Sequence, residues 1–334
     1  MAYRAAIFIN VLILCVGCDA ESRDYRHQFY SFGTLVTIDF FDVSPSSNTT
    51  AISAIESRIR DIDANWYPWR EGELQEINSA ITRRQSIEVS PLLAELLRRS
   101  TTLEQQSGGR FNPALGRLTE LWGFHDMTML RTSLPDDFDI QKWLSLGASS
   151  QDLEWDGDLL RSKSPRIMLD LGGIAKGSIL EQFVSILTDA GVENAIIDIG
   201  GDLTVMGQVK GRSARIGIRS PRSEDILGWL DVQDGETVMT SGDYERFFEY
   251  DGKRYQHVLD PRTGYPVEHT VSASVVHGDP VLADVAATAL LVAGAAEFEE
   301  LCLSLGLDTA LIVTTSGELR LTRAMEKRLN WPKP

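Results

Sequence analysis

Residues 169–178 read LDLGGIAKGS, and what this stretch builds decides the fold around it. The apolar run Ile167-Met168-Leu169 ends at Asp170, a glycine pair follows at Gly172-Gly173, and apolar spacing then predicts a helix from about 177 to 190. A strand that runs into a glycine turn and opens a helix aims successive backbone N–H groups at one point, a geometry that receives phosphate. The stretch is not a dinucleotide fingerprint, because Ile174 stands where the second Gly of G-x-G-x-x-G belongs. It also departs from the P-loop, because Ser178 replaces the required Lys. On these residues alone, a phosphate cradle and a purely structural turn are both open.

Outward from that turn, strands and helices mix along the chain. Residues 29–43, FYSFGTLVTIDFFDV, are rich in β-branched and aromatic types and predict a strand or hairpin arm. Ile52, Ile55, Ile59 and Ile62 space a helix over 48–63. Ser90-Pro91 predicts a helix start with Ser90 as N-cap, and Gly108-Gly109 its end. Residues 130–165 carry little pattern and predict an irregular connection with a short strand pair around Trp155-Asp156-Gly157. Strand signals follow at 195–199, 214–218, 255–259, 271–276 and 308–314, with a long Ala-rich helix over 281–305 that Gly294 can break. This order does not separate into two halves and predicts a mixed α/β or α+β body over 29–325, with a tail at 326–334.

Composition narrows the function. The 334 residues carry 32 Lys and Arg against 48 Asp and Glu, a net charge of −16. That balance excludes non-specific nucleic-acid binding, which depends on cations displacing counterions from phosphate. A phosphate ligand on so acidic a chain needs a local cation, a metal or a helix end. The first residues, MAYRAAIFINVLILCVGC, join Arg4 to a short apolar run too brief to span a membrane, and predict a signal over 1–17. Cys15-Val16-Gly17-Cys18 resembles a bacterial lipobox, so Cys18 is expected to carry lipid, with 18–28 as a tether. Asp19 resembles the residue that retains such lipoproteins in the inner membrane, facing the periplasm. Cys302 is then the single cysteine of the body, in a helical half-apolar pattern that predicts core packing.

Two further segments can carry chemistry. Asp279-Pro280 marks a helix start, after which Asp284 and Thr288 fall one turn apart on one face among small apolar neighbours. A carboxylate so placed needs a partner. Oxygen donors with little protein charge suit Mg²⁺ better than zinc, while pairing of Asp284 with an arginine is the alternative. His257 precedes the turn Asp260-Pro261-Arg262-Thr263-Gly264. It reads either as a structural strand histidine or as a proton acceptor for a hydroxyl nucleophile. Signatures of the common hydrolases and of zinc proteases are missing from the sequence.

Taken together and in order, the motifs resemble the FAD:protein FMN transferases, the ApbE-type flavin transferases. The matching pieces run from Phe32-Gly33-Thr34 through Gly109-Arg110-Phe111-Asn112-Pro113, Leu121-Trp122-Gly123-Phe124 and the LDLGGIAKG turn. They continue with Ile199-Gly200-Gly201-Asp202, Ser241-Gly242-Asp243-Tyr244, the His257 to Gly264 segment and the Asp284 to Thr288 helix. The resemblance implies a single α+β fold of two intimately packed subdomains with the flavin cleft between them. It also implies Mg²⁺ at the diphosphate of FAD, the substrate. The implied reaction moves FMN onto a Ser or Thr hydroxyl of an acceptor protein and releases AMP. The implied metal ligands are Asp284, Thr288 and backbone oxygens of Ala175 and Ala287. Phe32, Tyr67, Phe111, Asn112, Pro113, Asp170 and Lys176 are the implied FAD contacts, with Asn112 standing where the family often has Asp. The implied catalytic pair is Asp284, through the metal, and His257, as proton acceptor. The implied acceptor is a periplasm-facing subunit of a respiratory redox complex. An FAD pyrophosphatase yielding FMN and AMP, or a non-catalytic FAD-binding lipoprotein, would carry the same motifs.

Overall fold

An eight-stranded antiparallel sheet organises the chain, and the glycine turn sits at the edge of the helical layer that covers it. The computed structural model describes residues 23–126 and 133–332; the expected signal and lipobox, with Cys18, lie outside them. Across the sheet the strands run Arg23–Ser31, Thr34–Val43, Ala195–Ile199, Asp202–Met206, Thr237–Gly242, Thr270–His277, Thr309–Thr314 and Leu319–Leu321. Alternation along each strand sends side chains to opposite faces. Val36, Ile38, Phe40, Ile197, Ala273 and Val275 face one way, onto helices Ala175–Asp189 and Pro280–Leu305. Leu203, Val205, Val238, Val276 and Leu311 face the other, beneath a hairpin of Ala214–Arg219 with Ile226–Val232 and the short helix Arg323–Arg328.

The Pro280–Leu305 helix is apolar on nearly all sides as far as Ala293 because that part lies inside the molecule. By length and composition it could cross a membrane, yet 72% of its most apolar window is buried, which makes it a core helix. Asp279 caps its start, accepting from Val281 N at 2.9 Å and Leu282 N at 3.0 Å, with Pro280 in the first turn. Gly294 breaks it as expected, at φ 66° and ψ −170°. The carbonyl of Val292 accepts from His269 Nε2 at 3.2 Å and Arg262 Nη2 at 3.3 Å beside this kink, so that oxygen stays paired across the break. Cys302 is buried and free, in the core where its pattern put it.

Several elements differ from expectation. Asp137–Leu144 is a helix inside the stretch read as irregular, capped by Asp136, which accepts from Phe138 N at 2.8 Å. The strand pair expected nearby is present as Leu153–Asp156 with Leu159–Ser162. The signal at 255–259 resolves into a strand Lys253–Gln256, after which the chain leaves the ladder for the Asp260 to Gly264 turn. The body also reaches beyond 29–325. Its edge strand begins at Arg23, and Asn330 exchanges backbone hydrogen bonds with Trp229 at 2.9 Å.

Candidate active site

The glycine turn is fixed from both sides before it reaches the helix. Asn78 donates to Leu169 O at 3.0 Å and accepts from Leu169 N at 2.7 Å, and Asp170 N donates to Pro113 O at 2.8 Å. The Asp170 carboxylate then accepts from Gly172 N at 3.0 Å and Thr119 Oγ1 at 3.1 Å, closing an Asx turn. Burial pushes this carboxyl above the ordinary aspartate value, against the pull of those donors and of Arg246. The helix opens at Ala175, and at Gly177 it touches the start of the core helix. A Cβ at Gly177 would lie 2.3 Å from Pro280 O, so only glycine permits this approach.

That approach lets Asp284 reach back. Its Oδ2 accepts from Gly177 N at 2.8 Å, and the residue is only 4% exposed. Among the described residues no arginine pairs with it. Desolvation pushes its carboxyl up to about 7, with Lys176 pulling down and Asp202 and Glu245 pushing up. One turn on, Thr288 Oγ1 lies 3.2 Å from Ser241 Oγ and 3.5 Å from where a Gly173 Cβ would stand. Ala287 is buried beside it. The donors here are oxygens, and among the described residues no three His, Cys, Asp or Glu side chains gather as a metal cluster. One carboxylate, held by a single amide, and neighbouring hydroxyls fit a hard cation that keeps water and shares phosphate oxygens.

Charge is concentrated next to this pair. Lys176 Nζ is bound to Asp202 Oδ2 and lies 3.7 Å from Glu245 Oε2. Burial alone would lower its pKa, but the carboxylates of Asp202, Glu245 and Asp284 raise it, so the ammonium is permanent. Asp202 Oδ1 also accepts from Thr240 N at 2.7 Å, which ties the Lys176 pair to the strand beside Ser241. Lys176 therefore spends its charge on protein carboxylates.

The remaining candidates come from segments around the turn. Phe111 is buried, with its ring edge 3.3 Å from the position of a Gly173 Cβ. Asn112 donates to Ala148 O and accepts from Ala114 N, both at 2.8 Å, so its amide orders the loop that carries Phe111 and Pro113. Phe32 has φ 54° and Gly33 φ 76° in the two-residue turn between the first strands. A left-handed aromatic residue is strained, and such strain concentrates at binding sites. Tyr67 donates to His125 O at 2.6 Å, and its ring meets Trp69 at 67° with centroids 5.4 Å apart.

His257 lies opposite Arg246 beyond the hairpin Phe247–Tyr250 with Lys253–Gln256. Its backbone N and its Nδ1 both address the carbonyl of Arg246, at 3.0 and 3.1 Å. A carbonyl can only accept, so Nδ1 carries the proton and Nε2 is left as an acceptor. Desolvation, then the charges of Arg246 and Lys176, push this imidazole down to about 3 and keep it neutral.

Asp202, Glu245, Arg246 and Ser241 join the site without having been among the candidates. For Arg246 a signal existed. Asp251-Gly252, at φ 51° and 73°, is a tight hairpin turn, and counting back from it pairs residue 246 with residue 257.

Residues 32–312, the span from the strained turn through the core helix, match the model of the ApbE family. The chain belongs to the ApbE family. It is 36% identical to the FAD:protein FMN transferase of Rhodobacter capsulatus over 98% of its own length, and spans 63% of that relative. The enzyme of the same name from Treponema pallidum is 31% identical, over 89% of this chain and 86% of that one. Two ApbE structures share the fold. The Thermotoga maritima ApbE protein superposes with a TM-score of 0.83 at 29% identity, covering 92% of this chain and 99% of its own. The apo flavinyl transferase ApbE of Pseudomonas stutzeri superposes at 0.82 and 26% identity, covering 94% and 99%. The α+β expectation and the family resemblance both hold.

Proposed function

We propose that this chain transfers FMN from FAD to a Ser or Thr hydroxyl of an acceptor protein, with release of AMP. The observation that carries the reading is the Asp284 carboxylate on the amide of Gly177. It brings the glycine turn and the Asp284 to Thr288 helix to one point in a chain whose relatives are named FAD:protein FMN transferases. In the reaction the acceptor oxygen forms a bond to the FMN phosphorus, the bond from that phosphorus to the AMP oxygen breaks, and the hydroxyl proton is lost.

The chain's own groups divide this work. Asp284 and Thr288, with the backbone oxygens of Ala175 and Ala287, would hold Mg²⁺. When bound, Mg²⁺ would neutralise the diphosphate and the charge that develops on departing AMP. Gly173 N would receive a phosphate oxygen at the helix start, since Gly172 N is given to Asp170 and Ile174 N to Leu171 O. Phe32, Tyr67 and Phe111 would flank the ring systems, with Asn112 and Pro113 holding Phe111 in place. His257 Nε2 is the acceptor for the hydroxyl proton, and a diphosphate beside it would raise its basicity toward neutrality. Phosphoryl transfer asks a protein mainly for positioning and electrostatics, which a rigid turn on a core helix supplies.

We place the enzyme on the inner membrane, facing the periplasm, through lipid on Cys18, with a respiratory redox subunit as acceptor. The test is incubation with FAD, Mg²⁺ and such a subunit, followed by in-gel flavin fluorescence and assay of AMP. Fluorescence that stays with the denatured acceptor, matched by AMP, supports the reading. Free FMN with a dark acceptor would make the chain a pyrophosphatase, and FAD retained with no AMP would make it a binding protein.

A further inference from the structure

We propose that Arg246 is an additional substrate-binding residue, whose guanidinium holds the diphosphate of the dinucleotide. This rests on the reading of FAD as substrate. The carboxylates of Asp170, Asp202, Glu245 and Asp284 bear on the site, as do the cations Lys176 and Arg246. Lys176 is committed to Asp202 and Glu245. Arg246 has no hydrogen bond or ion pair through its side chain among the described residues, which leaves all five N–H donors open.

Arg246 is exposed, and an exposed arginine commonly bonds only water, but its guanidinium lies against the turn that carries Phe32. Its Nη2 lies 3.5 Å from where a Cβ of Gly33 would stand, over the strained Phe32-Gly33 turn. Its charge acts on Tyr67, Asp170, Glu245 and His257, groups contributed by four separate segments. A planar, permanently charged fork with free donors is the side chain best matched to phosphate oxygens. The arrangement gives the site two poles. Asp284 and Thr288 form the cation-binding one, and Arg246 the anion-binding one. The backbone carbonyl of Arg246 meanwhile fixes the His257 tautomer, a role that any residue at this position keeps.

The experiment measures equilibrium binding of FAD, ADP and riboflavin to the full chain with Mg²⁺ present, for wild type, Arg246→Gln and Arg246→Lys. ADP carries the diphosphate without flavin, and riboflavin carries flavin without phosphate. Arg246→Gln is expected to weaken FAD and ADP roughly ten- to a hundredfold, the size of a charged hydrogen-bond pair, and to leave riboflavin unchanged. Arg246→Lys should recover part of the loss, and the gap to wild type should narrow at high salt. Equal weakening of riboflavin, or FAD binding undiminished in Arg246→Gln, would overturn this role alone. No FAD binding by the wild-type chain would sink the proposed function as well.

Discussion

The Asp284 carboxylate accepts a 2.8 Å hydrogen bond from the backbone amide of Gly177, joining the first turn of one helix to the second turn of another. The bond exists because Gly177 lacks a side chain and Pro280 starts the core helix against it. Stability and activity should therefore be sensitive at the same few positions.

Asp284 makes metal-free stability depend on pH in a direction opposite to most carboxylates. Its folded value, about 7, lies above the ordinary 3.8. Folding thus takes up a proton, and the stabilisation is complete below about pH 4 and lost as pH rises through 7. Between them the slope approaches about 1.4 kcal/mol per pH unit. Urea midpoints of the metal-free chain should fall from about pH 5 to 8, and Asp284→Asn should flatten that fall. A flat wild-type profile would contradict the buried, unpaired carboxyl.

Gly177→Ala should damage both helices at once. The new Cβ would meet Pro280 O at 2.3 Å and Val281 Cα at 2.8 Å, backbone atoms that cannot rotate away. Overpacking of this kind costs about 1–3 kcal/mol, and separation of the helices would also pull Asp284 from its amide. A urea midpoint equal to wild type would show that the helices are not in contact here.

Glycines with positive φ should not be equivalent. At Gly109, φ 76°, an added Cβ meets nothing within 4 Å, so alanine should cost about 1–2 kcal/mol from backbone strain alone. At Gly294, φ 66°, it would lie 2.2 Å from His269 Cδ2, displacing the ring that donates to Val292 O. Gly294→Ala should therefore cost clearly more than Gly109→Ala in thermal unfolding; equal losses would mean that the kink does not depend on His269.

Glu297 links three segments, with Arg110 Nη2 and Arg262 Nη1 both 3.0 Å from its Oε1. The hydrogen bond from Arg110, ahead of the opposing effect of burial, holds its carboxyl below the usual value. That contribution is present above about pH 4.5 and disappears as pH falls through the lowered folded value. Glu297→Gln should cost about 0.2–1 kcal/mol at neutral pH, as for a partly exposed network, and close to nothing near pH 3. A penalty that persists in acid would assign the effect to packing.

Legibility varied with how much each segment's pattern depends on its own residues. The break at Gly294, the helix start at Pro91 and the turn into the helix at Ala175 were readable because glycine and proline act locally, whereas the strand expected before that turn is only an isolated bridge between Met168 and Leu115. Ser90 shows the limit: its hydroxyl donates to Glu73 Oε2 at 2.7 Å and caps nothing. The strand Asp202–Met206 is buried at every position and so has no alternation to read. Thr237–Gly242 carries Thr240 and Ser241 for the site, and its Ser241-Gly242 end reads as a turn although it stays in the ladder. The Asp284 and Thr288 pair was visible from helical spacing, whereas the pairing of Lys176 with Asp202 and Glu245 needs three distant segments and has no local signal.

The most direct test of the central claim is mass spectrometry of an acceptor subunit incubated with FAD and Mg²⁺, with either the wild-type chain or Asp284→Ala. Wild type should add one FMN phosphoryl group to a Ser or Thr of the acceptor, and Asp284→Ala, although folded, should add none. An acceptor modified equally by both, with Mg²⁺ saturating, would contradict the assignment of Asp284 to the cation that brings FAD into this site.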